Sequence, residues 1–248
     1  MLREYLQKAN RSIRNLPEFL YGLKQGIPIA LGYFPVAFTF GILAVKGGIP
    51  ISVAILISLT NFTSAGQFAG TNLIIANASL MEIALTTFVI NIRYLLMSLS
   101  LSQKIMPKMP ALERYILAFG ITDETFAIAS LEHREITFPY MVGLIACPYA
   151  GWALGTAWGA FICSVLPPIW QNSMGIALYA MFIALLVPAA KKSLAALAVT
   201  MIAVSISSLF AWASYFEKLS GGWNIIIATI IASTAGAVLF PRKGDDLG

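Results

Sequence analysis

The sequence contains little charge: acidic and basic side chains make up 11% of its 248 residues, while 58% are hydrophobic. Soluble domains average about 25% charged residues, so this composition cannot cover a water-facing surface. The chain is therefore predicted to be a polytopic membrane protein. Its net charge of +5 then concerns orientation and anionic lipid, and we expect the lipid bilayer, and no nucleic acid, as a partner.

Residues for most enzymatic chemistry are also scarce. The single histidine, His133, lies between Glu132 and Arg134 in a charged loop, where a solvated face is the simplest interpretation. The only two cysteines, Cys147 and Cys163, lie in one apolar stretch and predict ordinary buried thiols. No nucleotide-binding loop, zinc-protease motif or serine-hydrolase motif occurs. We therefore expect no enzyme, no cofactor and no metal site.

Charge-free runs divide the chain into apolar segments of helical length, which predicts an all-α fold. We predict three regions: a basic amphipathic segment on the cytoplasmic face (1–24), the transmembrane domain (25–240) and a cytoplasmic tail (241–248). No internal repeat can be defended by matching residues, although inverted repeats are often invisible in sequence. The eight segments run over about 25–45, 50–78, 83–103, 115–131, 137–166, 169–190, 193–214 and 223–240.

The positive charges distinguish two ways of threading these segments. If all eight cross, ten of the sixteen Lys and Arg residues lie inside and five outside, with Arg93 in the membrane. If the second and fourth segments instead return to the face they entered, thirteen lie inside and only Lys46 and Lys218 lie outside. Both schemes place both termini in the cytoplasm. The second segment has a polar centre and the fourth is the shortest, so we expect these two to be broken or re-entrant.

The second segment is the most informative part of the chain. Thirty-five uncharged residues separate Lys46 from Glu82, yet the centre, residues 61–70, holds two amides, two hydroxyls and two glycines. Polar groups at that depth cost several kcal/mol unless protein, water or a ligand satisfies them, so we expect them to line a cavity. The alternative is a tightly packed helix with amides as interhelical contacts. Because leucine would remove a costly polar group, we expect the Gln67→Leu variant to fold. The predicted substrate-binding residues here are Asn61, Thr63, Ser64, Gln67 and Phe68.

Two further segments add candidate binding residues. Pro28 and Pro35 in the first segment would each free a carbonyl for an ammonium group, so that the first two segments could hold a zwitterion. Asn91 and Tyr94 share one helical face of the third segment and are predicted to reach the same cavity. An interhelical hydrogen bond is the alternative for Asn91.

Three ionisable residues are predicted to lie deep in the membrane. Arg93 is at the centre of the third segment, pointing roughly opposite to Tyr94, and Asp123 and Glu124 are at the middle of the fourth. Intramembrane charges are usually paired, so we expect Arg93 to pair with one acid. Adjacent helical positions point about 100° apart, which leaves the other acid available for proton coupling. A purely architectural ion pair is the alternative.

The fifth segment carries glycines at every fourth position, Gly151, Gly155 and Gly159. This stripe predicts close contact between two helices. The sequence leaves open whether a partner subunit or another segment of this chain fills the groove.

Five motifs occur in order along the chain: Gly26-x-Pro28 with Gly32 and Pro35, Phe62 to Phe68, Asn91-Ile92-Arg93-Tyr94, Thr122-Asp123-Glu124, and Trp152 with Gly155-Thr156. In these motifs the chain resembles the AzlC family, the large subunit of bacterial branched-chain amino acid exporters. The resemblance implies proton-motive-force-driven export of valine, leucine, isoleucine and methionine through the bacterial inner (plasma) membrane. It also implies a small hydrophobic partner of the AzlD type. A channel or facilitator for a small neutral solute remains the alternative.

Overall fold

In the computed structural model, residues 2–165, 193–212 and 221–241 are described, with a few single positions between 167 and 191 and side chains from residue 15 onward. Within these residues every regular element is a helix, which confirms the all-α class. The predicted sixth segment, 169–190, falls almost entirely outside them. The helices are α1 (Leu2–Lys46), α2 (Ile51–Thr60), α3 (Ala65–Ile75), α4 (Leu80–Ser102), α5 (Ala111–Phe119), α6 (Asp123–Leu131), α7 (Phe138–Ile162), α8 (Leu194–Trp212) and α9 (Gly221–Leu239).

Three stretches of the described chain are long and apolar enough to cross a membrane: Asn15–Lys46, Leu80–Ser102 and Gly221–Leu239. Large apolar side chains on their outer faces are exposed, as on α4, where Leu95, Leu96 and Leu99 are each more than 60% exposed. Such surface is costly in water and favourable in lipid. The molecule is therefore a membrane protein with helical spans.

Helix α1 is continuous through Pro17, Pro28 and Pro35, so the two prolines expected to free carbonyls for an ammonium group do not break the first segment. The predicted boundary at residue 24 also lies inside this one helix. Pro28 and Pro35 lie on its exposed side, opposite the face that packs in the core. Between Gly22 and Ala44 the opposite face of the helix is buried, and this packing accommodates the hydrogen bonds lost at Pro28 and Pro35.

Helices α1 and α7 run parallel and touch backbone to backbone. A β-carbon added at Gly26 of α1 would lie 2.5 Å from the Leu144 carbonyl oxygen, and one at Gly155 of α7 would lie 2.6 Å from that of Phe34. The groove of the fifth segment is thus filled by this chain's own first helix. We call the end of the molecule at which α1 and α7 start the near end, and the end at which they finish the far end.

The second segment is broken into α2 and α3. It starts at the far end, reaches Phe62 beside Tyr33, and returns until Ile75 packs against Gly47 at the far end. Residues 61–64 separate the two helices, and Ser64 holds a φ of 48°, a conformation that non-glycine residues rarely adopt. The segment therefore forms a hairpin whose tip lies about mid-way along the apolar stretch Asn15–Lys46 of α1.

The fourth segment is broken in the same way, from the opposite end. Lys104 and Ile136, which flank it, share a backbone hydrogen bond of 2.8 Å, and Lys104 Nζ donates to the Ser130 carbonyl at the end of α6. Its tip is residues 120–122, where a capping box between Thr122 and Thr125 starts α6. The hairpin α5–α6 thus enters from the near end, returns there, and meets the first hairpin at Tyr33.

The two hairpins and the long helices that follow them form two units of equal length and opposite direction. Residues 51–102 contain helices of 10, 11 and 23 residues, and residues 111–162 contain helices of 9, 9 and 25. Pro50 and Pro110, sixty residues apart, cap α2 and α5 with nearly identical backbone angles. Helix α4 runs from the far end to the near end, whereas α7 runs the other way. This is the pattern of an inverted repeat.

We expect Gly155→Leu to destabilise the fold by about 3 kcal/mol, because its side chain would overlap the α1 backbone and force the two helices apart. Gly32→Leu is the matched control, since a β-carbon at Gly32 has no described neighbour within 4 Å. The measurement is thermal unfolding and yield of monodisperse protein in detergent. Equal losses in both variants would contradict the packing described here.

Candidate functional site

A cavity of about 200 Å³ lies between the tips of the two hairpins. Hydroxyl and amide groups line one side of it, and apolar side chains line the other. Each hairpin contributes the last residues of its first helix together with part of its break, and α4 contributes one tyrosine. The lining residues are Thr60, Asn61, Phe62, Thr63, Tyr94, Ala118, Phe119 and Ile121.

The polar side of the cavity is held in place by its own hydrogen bonds. Thr63 Oγ1 donates to Asn61 Oδ1 at 2.8 Å, and the Tyr94 hydroxyl donates to the Thr63 carbonyl at 3.1 Å. These contacts satisfy a break in the helix that would otherwise leave polar groups unpaired at this depth. Of the predicted binding residues, Asn61, Thr63 and Tyr94 therefore lie together in the cavity wall.

The charged residues lie next to this wall. Arg93 Nη2 forms an ion pair with Asp123 Oδ2 at 2.9 Å and donates to the Tyr94 hydroxyl at 3.3 Å. Its guanidinium carbon lies 5.1 Å from the centre of the Tyr94 ring. The expectation that Arg93 points away from Tyr94 is therefore wrong, because the long arginine side chain bends around the helix toward the acid of the other hairpin.

The second acid, Glu124, is held by a residue that the sequence analysis did not identify. The Tyr33 hydroxyl donates to Glu124 Oε2 and lies 2.9 Å from Thr122 Oγ1. Tyr33 is buried, with its ring edge-on to Phe62 and Trp152. A lone tyrosine in an apolar segment carries no motif, so only the fold could reveal this contact.

Gln67 does not reach the cavity. Its amide nitrogen donates to Ser58 Oγ at 2.6 Å, its amide oxygen accepts from the Trp152 indole at 3.0 Å, and Ser58 in turn bonds Thr156 at 2.7 Å. This buried network joins the first hairpin to α7. The premise that leucine at Gln67 would remove an unsatisfied polar group is wrong, because the amide is bonded on both sides. Phe68 is likewise buried, edge-on to Phe40.

The remaining predicted residues lie around the cavity or far from it. Pro28 and Pro35 are on the exposed side of α1 and do not line the cavity. Ser64 Oγ, Asn91 Oδ1 and Arg93 Nε are buried near the first break without a hydrogen-bond partner in the part of the chain that is described. Buried polar atoms are rarely left unpaired without a functional reason.

The wall contributed by α5 was also missed by sequence reasoning. Ala118, Phe119 and Ile121 carry no chemical signal of their own. The only indication was that the fourth segment is short and carries two acids, which predicted an irregular helix. It did not indicate which residues of that segment would face the cavity.

Comparison with known proteins bears on what this cavity serves. The model of the AzlC protein family matches residues 28–166, which contain both hairpins, the cavity, the last part of α1 and all of α7. The chain belongs to the AzlC family. Most of the matched range is the pair of inverted units, so the part of this chain that matches the family includes the part that forms the cavity.

Relatives of this AzlC chain occur in bacteria and archaea. It is 31% identical over 201 residues to the inner membrane protein YgaZ of Escherichia coli, covering 77% of this chain and 82% of YgaZ. It is 34% identical over 174 residues to an uncharacterized membrane protein of Archaeoglobus fulgidus, covering 68% of this chain and 75% of that protein. An uncharacterized membrane protein of Helicobacter pylori is 32% identical over 156 residues, 59% of this chain and 67% of that protein. No solved structure matches the chain.

Gln67→Leu is expected to destabilise this AzlC protein by about 1–3 kcal/mol, because it leaves the buried Trp152 indole without its acceptor and removes the amide donor to Ser58, which keeps its hydrogen bond to Thr156. Thr60→Val, which lies in the cavity wall outside this network, is the matched control for loss of a polar group. The measurement is thermal unfolding in detergent. An unchanged unfolding temperature in Gln67→Leu would show that the network contributes nothing to stability.

The ion pair can be tested by a double-mutant cycle of Arg93→Gln and Asp123→Asn. The side chains of Arg93 and Asp123 are 39% and 26% exposed, so we expect a coupling energy of about 1 kcal/mol, below that of a fully buried pair. The same cycle with Glu124→Gln is the control and should give a smaller coupling. Equal coupling in both cycles, measured by denaturant unfolding, would contradict a specific pairing with Asp123.

Proposed function

We propose that this chain is the large subunit of a secondary exporter for valine, leucine, isoleucine and methionine, and that it has no enzymatic activity. The observation that carries the proposal is a cavity between the breaks of two oppositely directed units. Secondary transporters commonly bind their substrates where discontinuous helices of inverted repeats meet, near the middle of the membrane.

The chemistry of the cavity supports an amino acid with an apolar side chain. Helices α3 and α6 start at the hairpin tips, so the positive ends of their dipoles point to the centre and favour a carboxylate. Helices α2 and α5 end there, and their carbonyl ends favour an ammonium group. Phe119, Ala118 and Ile121 offer an apolar wall to the side chain. A zwitterion with a hydrocarbon tail complements all three features.

We further propose that the near end faces the cytoplasm and that both hairpins are re-entrant. The contacts of Ile75 with Gly47 and of Lys104 with Ser130 support the return of each hairpin to the end from which it entered. Eight segments threaded in this way put thirteen of sixteen basic residues inside, with Lys46 and Lys218 outside. Both termini are then cytoplasmic, in an inner (plasma) membrane, which agrees with the description of YgaZ as an inner membrane protein.

Export is proposed to be coupled to the proton motive force through Glu124. Asp123 is neutralised by Arg93, which leaves Glu124 as the acid without a cationic partner in the described part of the site. A small hydrophobic subunit of the AzlD type is proposed as the partner. Because α1 fills the groove of α7, that subunit would dock on another face of the molecule.

The deciding experiment is transport in proteoliposomes that contain the chain with and without the small subunit. We expect a pH gradient to drive uphill movement of labelled leucine or valine only when both subunits are present. Downhill flux without accumulation would favour the channel alternative. Full activity of the large chain alone would remove the requirement for a partner.

Ala118→Leu should raise the KM for leucine about tenfold, because it fills part of the apolar wall, and about 1–3 kcal/mol per displaced methylene is typical of such pockets. The smaller substrate alanine, if transported, should be affected less. Ala111→Leu makes the same chemical change on the same helix outside the cavity and is the matched control. If both variants transport leucine like the wild type, the cavity is not the substrate site.

A further inference from the structure

Tyr33 is the residue of α1 through which both hairpin tips are connected. It lies outside both inverted units and is 5% exposed. Its ring centre lies 5.8 Å from that of Phe62 at an interplanar angle of 72°, which places it against the first tip. Its hydroxyl contacts Thr122 and Glu124 at the second tip. No motif or proposed binding role includes this residue.

The Tyr33 hydroxyl has one proton and two acceptors within reach. A phenol donates one hydrogen bond, so Glu124 Oε2 and Thr122 Oγ1 cannot both receive it at the same time. Thr122 Oγ1 also accepts from the Thr125 amide at 3.3 Å and lies 3.2 Å from Thr125 Oγ1, whose hydroxyl donates to the Gly120 carbonyl at 3.0 Å. A threonine oxygen has two lone pairs, so Thr122 can take the Tyr33 proton while keeping its cap of α6.

We propose that Tyr33 is a positioning residue for proton coupling, which switches its hydroxyl from Glu124 to Thr122 when Glu124 takes up a proton. The proposal rests on the proposed coupling role of Glu124. With Glu124 ionised, the phenol donates to the carboxylate, the stronger acceptor. On protonation, the incoming proton forms the carboxyl O–H bond, that O–H donates to the phenolic oxygen, and the phenol keeps its own proton and turns to Thr122.

The surroundings of Glu124 leave Tyr33 as its described hydrogen-bond donor. The titratable groups that interact with it are Asp123 on α6, Tyr94 on α4 and Tyr33 on α1. Helix α7, which also packs on α6, contains no charged residue. Arg93 is engaged by Asp123 and Tyr94. Tyr33 is therefore the described side chain that donates a hydrogen bond to Glu124.

The test is an infrared pH titration of the Glu124 carboxyl in the purified full-length protein in lipid, with its band assigned by loss in Glu124→Gln. Tyr33→Phe keeps the ring contacts and removes the donor to the charged form. Its titration midpoint should move upward by about one pH unit, the scale of one charge-assisted hydrogen bond. Tyr149→Phe, whose hydroxyl donates only to the Leu59 carbonyl, should leave the midpoint unchanged. An unmoved midpoint in Tyr33→Phe overturns the proposal.

A second probe covers the case in which Tyr33→Phe does not fold. Fluorotyrosine incorporated at position 33 keeps the packing and makes the phenol a stronger donor, so the Glu124 midpoint should move to lower pH. A midpoint that stays or rises overturns the proposal. Neither titration requires a transported substrate. If the wild-type protein fails to accumulate amino acids while the midpoints shift as expected, the proposed function falls and the role of Tyr33 stands.

Discussion

The constraint on which this structure depends is that two interruptions of helical backbone lie mid-way along the molecule, where a lipid environment offers no water to satisfy them. Each interruption is satisfied by side chains from other helices. Tyr94 of α4 bonds the Thr63 carbonyl, Trp152 of α7 bonds Gln67 beside the first break, and Tyr33 of α1 bonds Thr122 at the second. The polar groups that make the site possible are thus also the groups that hold the hairpins in place.

The α1–α7 pair is the rigid part of the molecule, and the two hairpins are the adaptable part. Helices α1 and α7 touch through backbone at successive glycines, a contact that leaves no room for side-chain adjustment. The hairpins instead contact α1 and α7 through edge-on aromatic rings and side-chain hydrogen bonds. Rearrangement around a bound solute is therefore easier at the hairpin tips than between α1 and α7, and the cavity lies where the two hairpins face one another.

Sequence alone predicted the helical class, the irregularity of the second and fourth segments and the presence of an arginine–acid contact. It did not predict which acid Arg93 meets, because adjacent residues differ only in helical angle. It misjudged Gln67, since partners 9 and 85 residues away cannot be read from a local pattern. The inverted units also escaped detection, because what relates them is helix length, the proline caps Pro50 and Pro110 and an opposite direction in space, and the last of these is visible only in the fold.

The parallel contact of α1 and α7 has a consequence for biosynthesis. Gly22 meets the backbone at Tyr140 and Leu144, so roughly 120 residues must be made after Gly22 before its partner exists, which at ribosomal speeds takes about ten seconds. During that interval the glycine face of α1 contacts lipid or the insertion machinery. Both hairpins are made before α7, the helix on which they pack. Helix α7, the last helix of the second unit, therefore completes the core. A chain that ends before α7 would contain two hairpins without the helix against which they pack.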